Sequence, residues 1–125
     1  MENRADLLSE RFLQFGADII KLIKKIDANQ MYRHIGMQLF RSATSIGANY
    51  REANRAESKD DFSHKISIVE KEANETVFWF EVFLESRLLS SEQKDAGTLL
   101  HTEAVELLKL FSSISRSSRH SKPRH

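Results

Sequence analysis

The sequence has no cysteine, a single proline and only four glycines in 125 residues. Without cysteine there are no disulfides and no thiolate metal sites, and nothing points to an oxidising compartment. Scarce proline and glycine remove the usual helix breakers, and the one proline, Pro123, lies near the end of the sequence. The chain is therefore biased toward long helices. No run of about 18 apolar residues occurs, so no membrane-spanning helix and no membrane partner are expected. The opening Met1-Glu2-Asn3-Arg4-Ala5-Asp6 has no basic stretch leading into an apolar one. It is not expected to act as a signal peptide, and the expected compartment is the cytoplasm.

Signatures of chemistry are missing as well. There is no Gly-x-Ser-x-Gly elbow, no phosphate-binding P-loop and no Gly-x-Gly-x-x-Gly. Four-helix bundles that hold two metal ions use Glu-x-x-His pairs, and no glutamate here has a histidine three residues later. Asp61-x-x-His64 comes nearest, but Asp61 stands at a predicted helix start, where the helix dipole accounts for it. Glu72 with Glu75, and Asn49 with Glu52, share a helical face, a spacing that more often marks a solvated surface. The expectation is a protein that is not an enzyme and carries no cofactor or metal, with a metal-dependent enzyme as the most remote alternative.

What is present is a globular composition, 40% hydrophobic and 30% charged, on a length that suits one domain. Leu8, Phe12, Phe15, Ile19, Leu22 and Ile26 alternate spacings of four and three, which predicts one amphipathic helix over about 6–27. Ala28-Asn29-Gln30 is a polar break. A second helix over about 31–56 turns Ile35, Leu39, Ile46 and Ala53 inward, beside Phe40, Ala43, Gly47 and Tyr50. Its small residues Gly36, Ala43, Gly47 and Ala48 would let a neighbouring helix approach closely, and either packing or function would offset the cost of about 1 kcal/mol for each interior glycine. Ser58 followed by Asp60 and Asp61 reads as an N-cap with acids in the first turn. The third helix, about 59–89, repeats the period through Phe62, Ile66, Val69, Ala73, Thr76, Phe80 and Phe83. Ser90-Ser91 with Glu92 and Gln93 opens a fourth, about 92–115, with Leu100, Ala104, Leu107, Phe111 and Ile114 inward. Three short connections make neighbours antiparallel. The expected fold is an all-α, up-down-up-down four-helix bundle over 1–115, followed by a disordered basic tail, 116–125.

Two surfaces stand out. Seven of the eight residues from Val77 to Leu84 are apolar. Phe80 and Phe83 fill the inward stripe, leaving Phe78, Trp79 and Val82 in surplus, with Leu13 and Ile20 doing the same on the first helix. Surplus apolar surface of this size predicts self-association. The second surface is cationic. Four of the 19 lysines and arginines (Arg116, Arg119, Lys122 and Arg124) crowd the last ten residues, leaving 15 cations against 18 acids in the body. With Arg51 and Arg55 on the second helix, these are the candidate contacts for RNA or DNA, through phosphates rather than bases because the tail has no aromatic side chain to stack. On the second helix, Ser42, Ser45 and Asn49 lie on or beside the inward stripe. They are expected to bond backbone carbonyls or to reach Glu72 and Glu75 across the bundle, with a ligand or partner site as the alternative.

The stretch from Gln38 to Ala56, followed by Ser58-Lys59-Asp60-Asp61-Phe62, resembles a family of bacterial four-helix-bundle proteins first noticed as reading frames within intervening sequences of 23S ribosomal RNA genes. The residues that carry the resemblance are Arg41, Ser45, Ile46, Asn49 and Glu52, then Asp61 and Phe62, then Glu72 and Glu75, and it covers about residues 6–115. The resemblance implies a four-helix bundle that forms a homopentameric ring. A similar fold serves as a nucleic-acid-binding accessory protein of diversity-generating retroelements. Those proteins are markedly basic, whereas the body of this chain is slightly acidic. The expected function is a non-enzymatic, homo-oligomeric binding or scaffold protein associated with ribosomal RNA or other nucleic acid. The alternative is a protein–protein scaffold with no nucleic-acid role.

Overall fold

The structure, a computed structural model, describes residues 3–26, 30–86 and 89–120. Among these, four helices follow one another: α1 (Arg4–Lys24), α2 (Gln30–Ala53), α3 (Lys59–Glu85) and α4 (Ser91–His120). The starts follow from capping chemistry. The Asn3 side chain accepts the Asp6 backbone N–H at 2.9 Å, and Ser58 accepts that of Asp61 at 3.0 Å. Ser90 and Gln93 form a reciprocal pair: the Gln93 N–H donates to Ser90 Oγ at 3.2 Å, and the Ser90 N–H to Gln93 Oε1 at 3.0 Å. Each arrangement satisfies backbone donors that a helix start otherwise leaves bare. The Val77–Leu84 segment, strand-like in composition, is helical.

Cross-helix contacts run in opposite numerical directions, which makes the neighbours antiparallel. Phe12 meets Tyr50 edge-on at 5.2 Å, while Ile23 faces Gly36. His34 meets Trp79, and Arg41 meets Glu75. Leu84 faces Gly97, and Ser63 meets Ser118. Arg11 reaches Glu103, and Lys25 reaches Glu92. Each helix packs on the next and α4 returns to α1, so the helices stand at the four corners of a bundle. The core is the predicted stripe: Phe12, Phe15 and Ile19 from α1, Leu39 and Ile46 from α2, Ile66, Val69, Phe80 and Phe83 from α3, and Leu107 and Phe111 from α4. Phe12, Tyr50 and Phe111 form an aromatic cluster with centroids 5.2–5.6 Å apart.

Three expectations need correction. The last helix does not stop at 115: Arg116–His120 continue α4, because Ser115 is fully buried and Ser118 bonds Ser63 Oγ of α3 at 3.1 Å. Ser118 belongs to the α3–α4 seam rather than to a tail, and the rest of that expected tail, 121–125, lies outside the described residues. Second, α2 ends at Ala53 and α3 at Glu85, earlier than their periodicity suggested, while α1 begins at Arg4 because Asn3 caps it. Third, close packing does not explain both interior glycines of α2. A Cβ on Gly36 would meet Ile23 at an ordinary 3.5 Å, whereas one on Gly47 would stand 3.2 Å from Phe12 Cβ. Only at Gly47 does the approach of α1 favour the missing side chain.

Candidate functional site

The family-like polar residues fall on the seam between α2 and α3. Arg41 leaves α2 and bridges two carboxylates one turn apart on α3, Glu72 Oε2 at 3.3 Å and Glu75 Oε1 at 2.5 Å. Glu75 Oε1 also accepts the Trp79 indole N–H at 3.4 Å. Beneath this seam, Ser42 and Thr76 are fully buried and joined at 2.9 Å. Ser42 turns its hydroxyl to the Leu39 carbonyl, and Thr76 shares its proton between Ser42 Oγ and the Glu72 carbonyl. Ser45 and Asn49 bond carbonyls of their own helix, at Arg41 and Ser45 respectively. Glu52 points away from this seam and lines a groove against α1. Of the polar residues that carry the resemblance, the structure therefore brings Arg41, Glu72 and Glu75 together, sets Ser45 and Asn49 on the adjoining backbone, leaves Glu52 apart and puts Asp61 in the first turn of α3.

The seam holds its charges in place. The Arg41 hydrogen bond, more than any other influence, moves the Glu75 carboxyl below its ordinary 4.5; the Trp79 N–H and the Arg41 and Lys71 charges add to this, and burial opposes it. The same bond raises Arg41. A carboxyl depressed in the folded state contributes stability that is present above its unfolded pKa and is lost as pH falls through the folded one. Glu75→Gln is therefore expected to lower stability at neutral pH and to make no difference in strong acid. Urea unfolding of both proteins at pH 7 and at about pH 2 checks this.

The same pairing separates the arginines into two groups. Arg11 and Arg41 are engaged: Arg11 holds Glu103 through two bonds, 2.7 Å and 2.6 Å, linking α1 to α4. Arg51, Arg55, Arg116 and Arg119 are exposed, and none forms a salt bridge with a described residue. Arg119 donates to the neutral Ser115 hydroxyl, at 2.9 Å. Arg51 and Arg119 sit on the last turns of α2 and α4, Arg55 just past the end of α2 and Arg116 about one turn before the end of α4, near the partial negative helix ends that favour cations. The two helix ends are neighbours: Ala53, Asn54 and Ala56 line one hollow of about 540 Å³ together with Ile114, Ser117 and Ser118. Four of the six expected nucleic-acid contacts thus share one end of the bundle, while Lys122 and Arg124 lie outside the described residues.

Of the five residues expected at an oligomer interface, Leu13 (63%), Phe78 (54%) and Ile20 (44%) are exposed, whereas Trp79 and Val82 are half-buried. Leu13 and Ile20 border a groove of about 610 Å³ between α1 and α2, whose floor includes Gly16, Thr44 and Gly47. Sequence reasoning missed three more exposed apolar side chains, Leu7, Met37 and Leu99. Each is a single departure from its helix's inward stripe, and that position off the stripe was the available signal. Among the described residues no three His, Asp or Glu side chains converge, and no helix is long and apolar enough to cross a membrane.

The sequence pattern of the family described as 23S rRNA-intervening sequence protein matches residues 8–116. The chain belongs to this family. A crystal structure of a protein of unknown function from the S23 ribosomal protein family of Bacteroides thetaiotaomicron VPI-5482 is similar, with a TM-score of 0.76 and 34% identity. The similarity covers 91% of this chain and 99% of that one. No curated protein matches. The 23S rRNA-intervening sequence match takes in the whole α2–α3 seam and Arg51, Arg55 and Arg116, but stops before Arg119. The last turn of α4, with Ser118 docked on Ser63, lies beyond it.

Proposed function

We propose that the chain is a non-enzymatic, self-associating binding protein that holds nucleic acid by its phosphate backbone through one end of the bundle. The observation that carries this reading is the division among the arginines. Arg11 and Arg41 are neutralised by glutamates, whereas Arg51, Arg55, Arg116 and Arg119 gather at one end with no acidic partner among the described residues. Guanidinium groups left free in this way suit phosphate, which they bind in a forked geometry. Phosphate contacts position a protein without reading sequence, so the expected ligand class is structured RNA or duplex recognised by charge and shape. Self-association is supported by the exposed Leu13, Ile20 and Phe78, and it would multiply a modest single-chain affinity. The α2–α3 polar seam serves as internal fastening in this reading, because its carboxylates already hold Arg41.

Fluorescence anisotropy with a labelled rRNA hairpin tests this. Changing Arg51, Arg55, Arg116 and Arg119 together to Gln is expected to weaken binding by more than 10-fold, while Arg41→Gln leaves it within about 2-fold, since only unpaired cations release counterions. Equal losses in the two variants would remove the basis for the reading.

A further inference from the structure

We propose that the hollow between the ends of α2 and α4 takes one unpaired nucleotide, a guanosine, whose base enters beside Phe62 while its phosphates rest on the surrounding arginines. This rests on the phosphate-binding reading above and adds which nucleic acid that end of the bundle prefers. The arginines themselves are not among the residues that line the hollow. Arg55 stands between Asn54 and Ala56, which do line it, and Arg116 and Arg119 bracket Ser117 and Ser118, which do as well. The cations are therefore on the rim. At about 540 Å³ the space they surround falls in the range of small-ligand sites, about 300–1,000 Å³. It has room for one base and its sugar, and it is far too small for a duplex.

Phe62 supplies what the cations at the end of the sequence lack. No Phe, Tyr or Trp lies within residues 116–125, so that segment can hold phosphates but offers no such ring to a base. Phe62 is fixed in the first turn of α3, where Ser58 caps the helix and the Phe62 N–H donates to the Ser58 carbonyl at 2.9 Å. Its side chain is half-buried: it packs against the hydrophobic core and also lines the hollow, beside Ile114 of α4. A ring anchored in this way has little freedom to lose when a flat base settles on it. Bases in bulges and loops can turn outward to reach such a ring, whereas bases paired within a helix cannot.

Charge sets the direction in which the nucleotide enters. The arginines belong to the ends of α2 and α4, whereas Glu57 belongs to the connection leading into α3. Glu57 lines the hollow, is exposed and forms no salt bridge with a described residue. Its carboxylate repels phosphate and accepts N–H donors, so the backbone stays over the arginines and the base edge turns toward Glu57. Guanine is the one base whose pairing edge carries two adjacent donors, N1–H and the N2 amine, one for each carboxylate oxygen. Lys59, which also lines the hollow, can donate to the neighbouring O6.

Fluorescence anisotropy of the full chain with three labelled RNA hairpins tests this: one stem fully paired, with a single bulged guanosine, or with a single bulged uridine. Wild type is expected to bind the bulged guanosine at least about 10-fold more tightly than the paired stem, as one base stacked on an aromatic ring provides, with the bulged uridine between them. Phe62→Leu keeps an apolar side chain against the core but removes the flat ring, and Ser117→Trp fills the hollow from an exposed position on α4. Each is expected to bring both bulged hairpins within about 2-fold of the paired one, whose own affinity stays near that of wild type. Glu57→Gln is expected to abolish the difference between guanosine and uridine and to keep the advantage of a bulge. Circular dichroism checks folding, and Ser117→Trp stands in should Phe62→Leu not fold. Arginine-dependent binding with equal affinity for paired and bulged hairpins, or a bulge advantage that survives Ser117→Trp, would overturn the role of the hollow and leave the phosphate-binding reading standing. A uridine bulge bound as tightly as a guanosine bulge would overturn the choice of guanine. Binding that ignores the loss of the four arginines would defeat the phosphate-binding reading itself.

Discussion

Phe80→Ala is expected to lower the unfolding free energy by about 3–5 kcal/mol, the usual cost of truncating a buried aromatic ring. Phe80 has no exposed surface, sits within the last two turns of α3 and leans on Phe15 of α1 with ring centroids 6.3 Å apart. Removing it deletes the transfer energy of the ring and leaves a void beside Phe15 of α1 and, one turn away on α3, Thr76 and Phe83, all of them buried themselves. Small domains have only about 5–15 kcal/mol in total, so the variant should stand close to its unfolding threshold at 25 °C. Urea denaturation at a fixed protein concentration reads this as a lower midpoint with an unchanged slope. Phe78→Ala, two residues away, makes the same chemical change on an exposed ring and is expected to cost less than about 1 kcal/mol in the dissociated chain. Comparable losses at both positions would mean that the division between core and surface on α3 has been drawn wrongly.

That division was largely legible in the sequence, because it rests on period alone. Leu8, Phe12, Phe15, Ile19 and Leu22 could be placed inward from their spacing, and all five are buried. Ser58 and the Ser90–Gln93 pair announced two helix starts through local chemistry that needs no tertiary partner. The failures occur where the deciding partner lies far along the chain. Ser118 looked like part of a polar tail, and only its docking against Ser63, fifty-five residues away, ties it to the bundle. The family-like signature named Arg41, Glu72 and Glu75 without saying that they would meet. Spacing could not show that Ser42 pairs with Thr76 while Ser45 and Asn49 turn to their own backbone. For the cationic surface, the sequence supplied the arginines but not their state. Arg41 and Arg51 look alike in the string, and only the structure distinguishes the one held by two glutamates from the one left unpaired.

That difference in state also sets the size of the second large effect expected here. Each phosphate neutralised by an arginine releases condensed counterions, so binding weakens with salt in proportion to the number of contacts made, with a log–log slope of about −0.7 to −0.9 per contact. Four unpaired arginines per chain predict a slope near −3 for each engaged copy, and an affinity that falls on the order of 100-fold between about 50 and 200 mM salt. A ring that presents several such ends would steepen the slope further. The paired Arg11 and Arg41 should add nothing, because their counter-charges are already supplied by the protein.

The most direct measurement is therefore the salt dependence of binding to a structured rRNA fragment, for wild type and for the variant with Arg51, Arg55, Arg116 and Arg119 all changed to Gln. A slope near −3 or steeper in wild type, collapsing toward zero in the variant, is the result this account predicts. No binding by wild type at low salt, or a slope that survives in the variant, would contradict it.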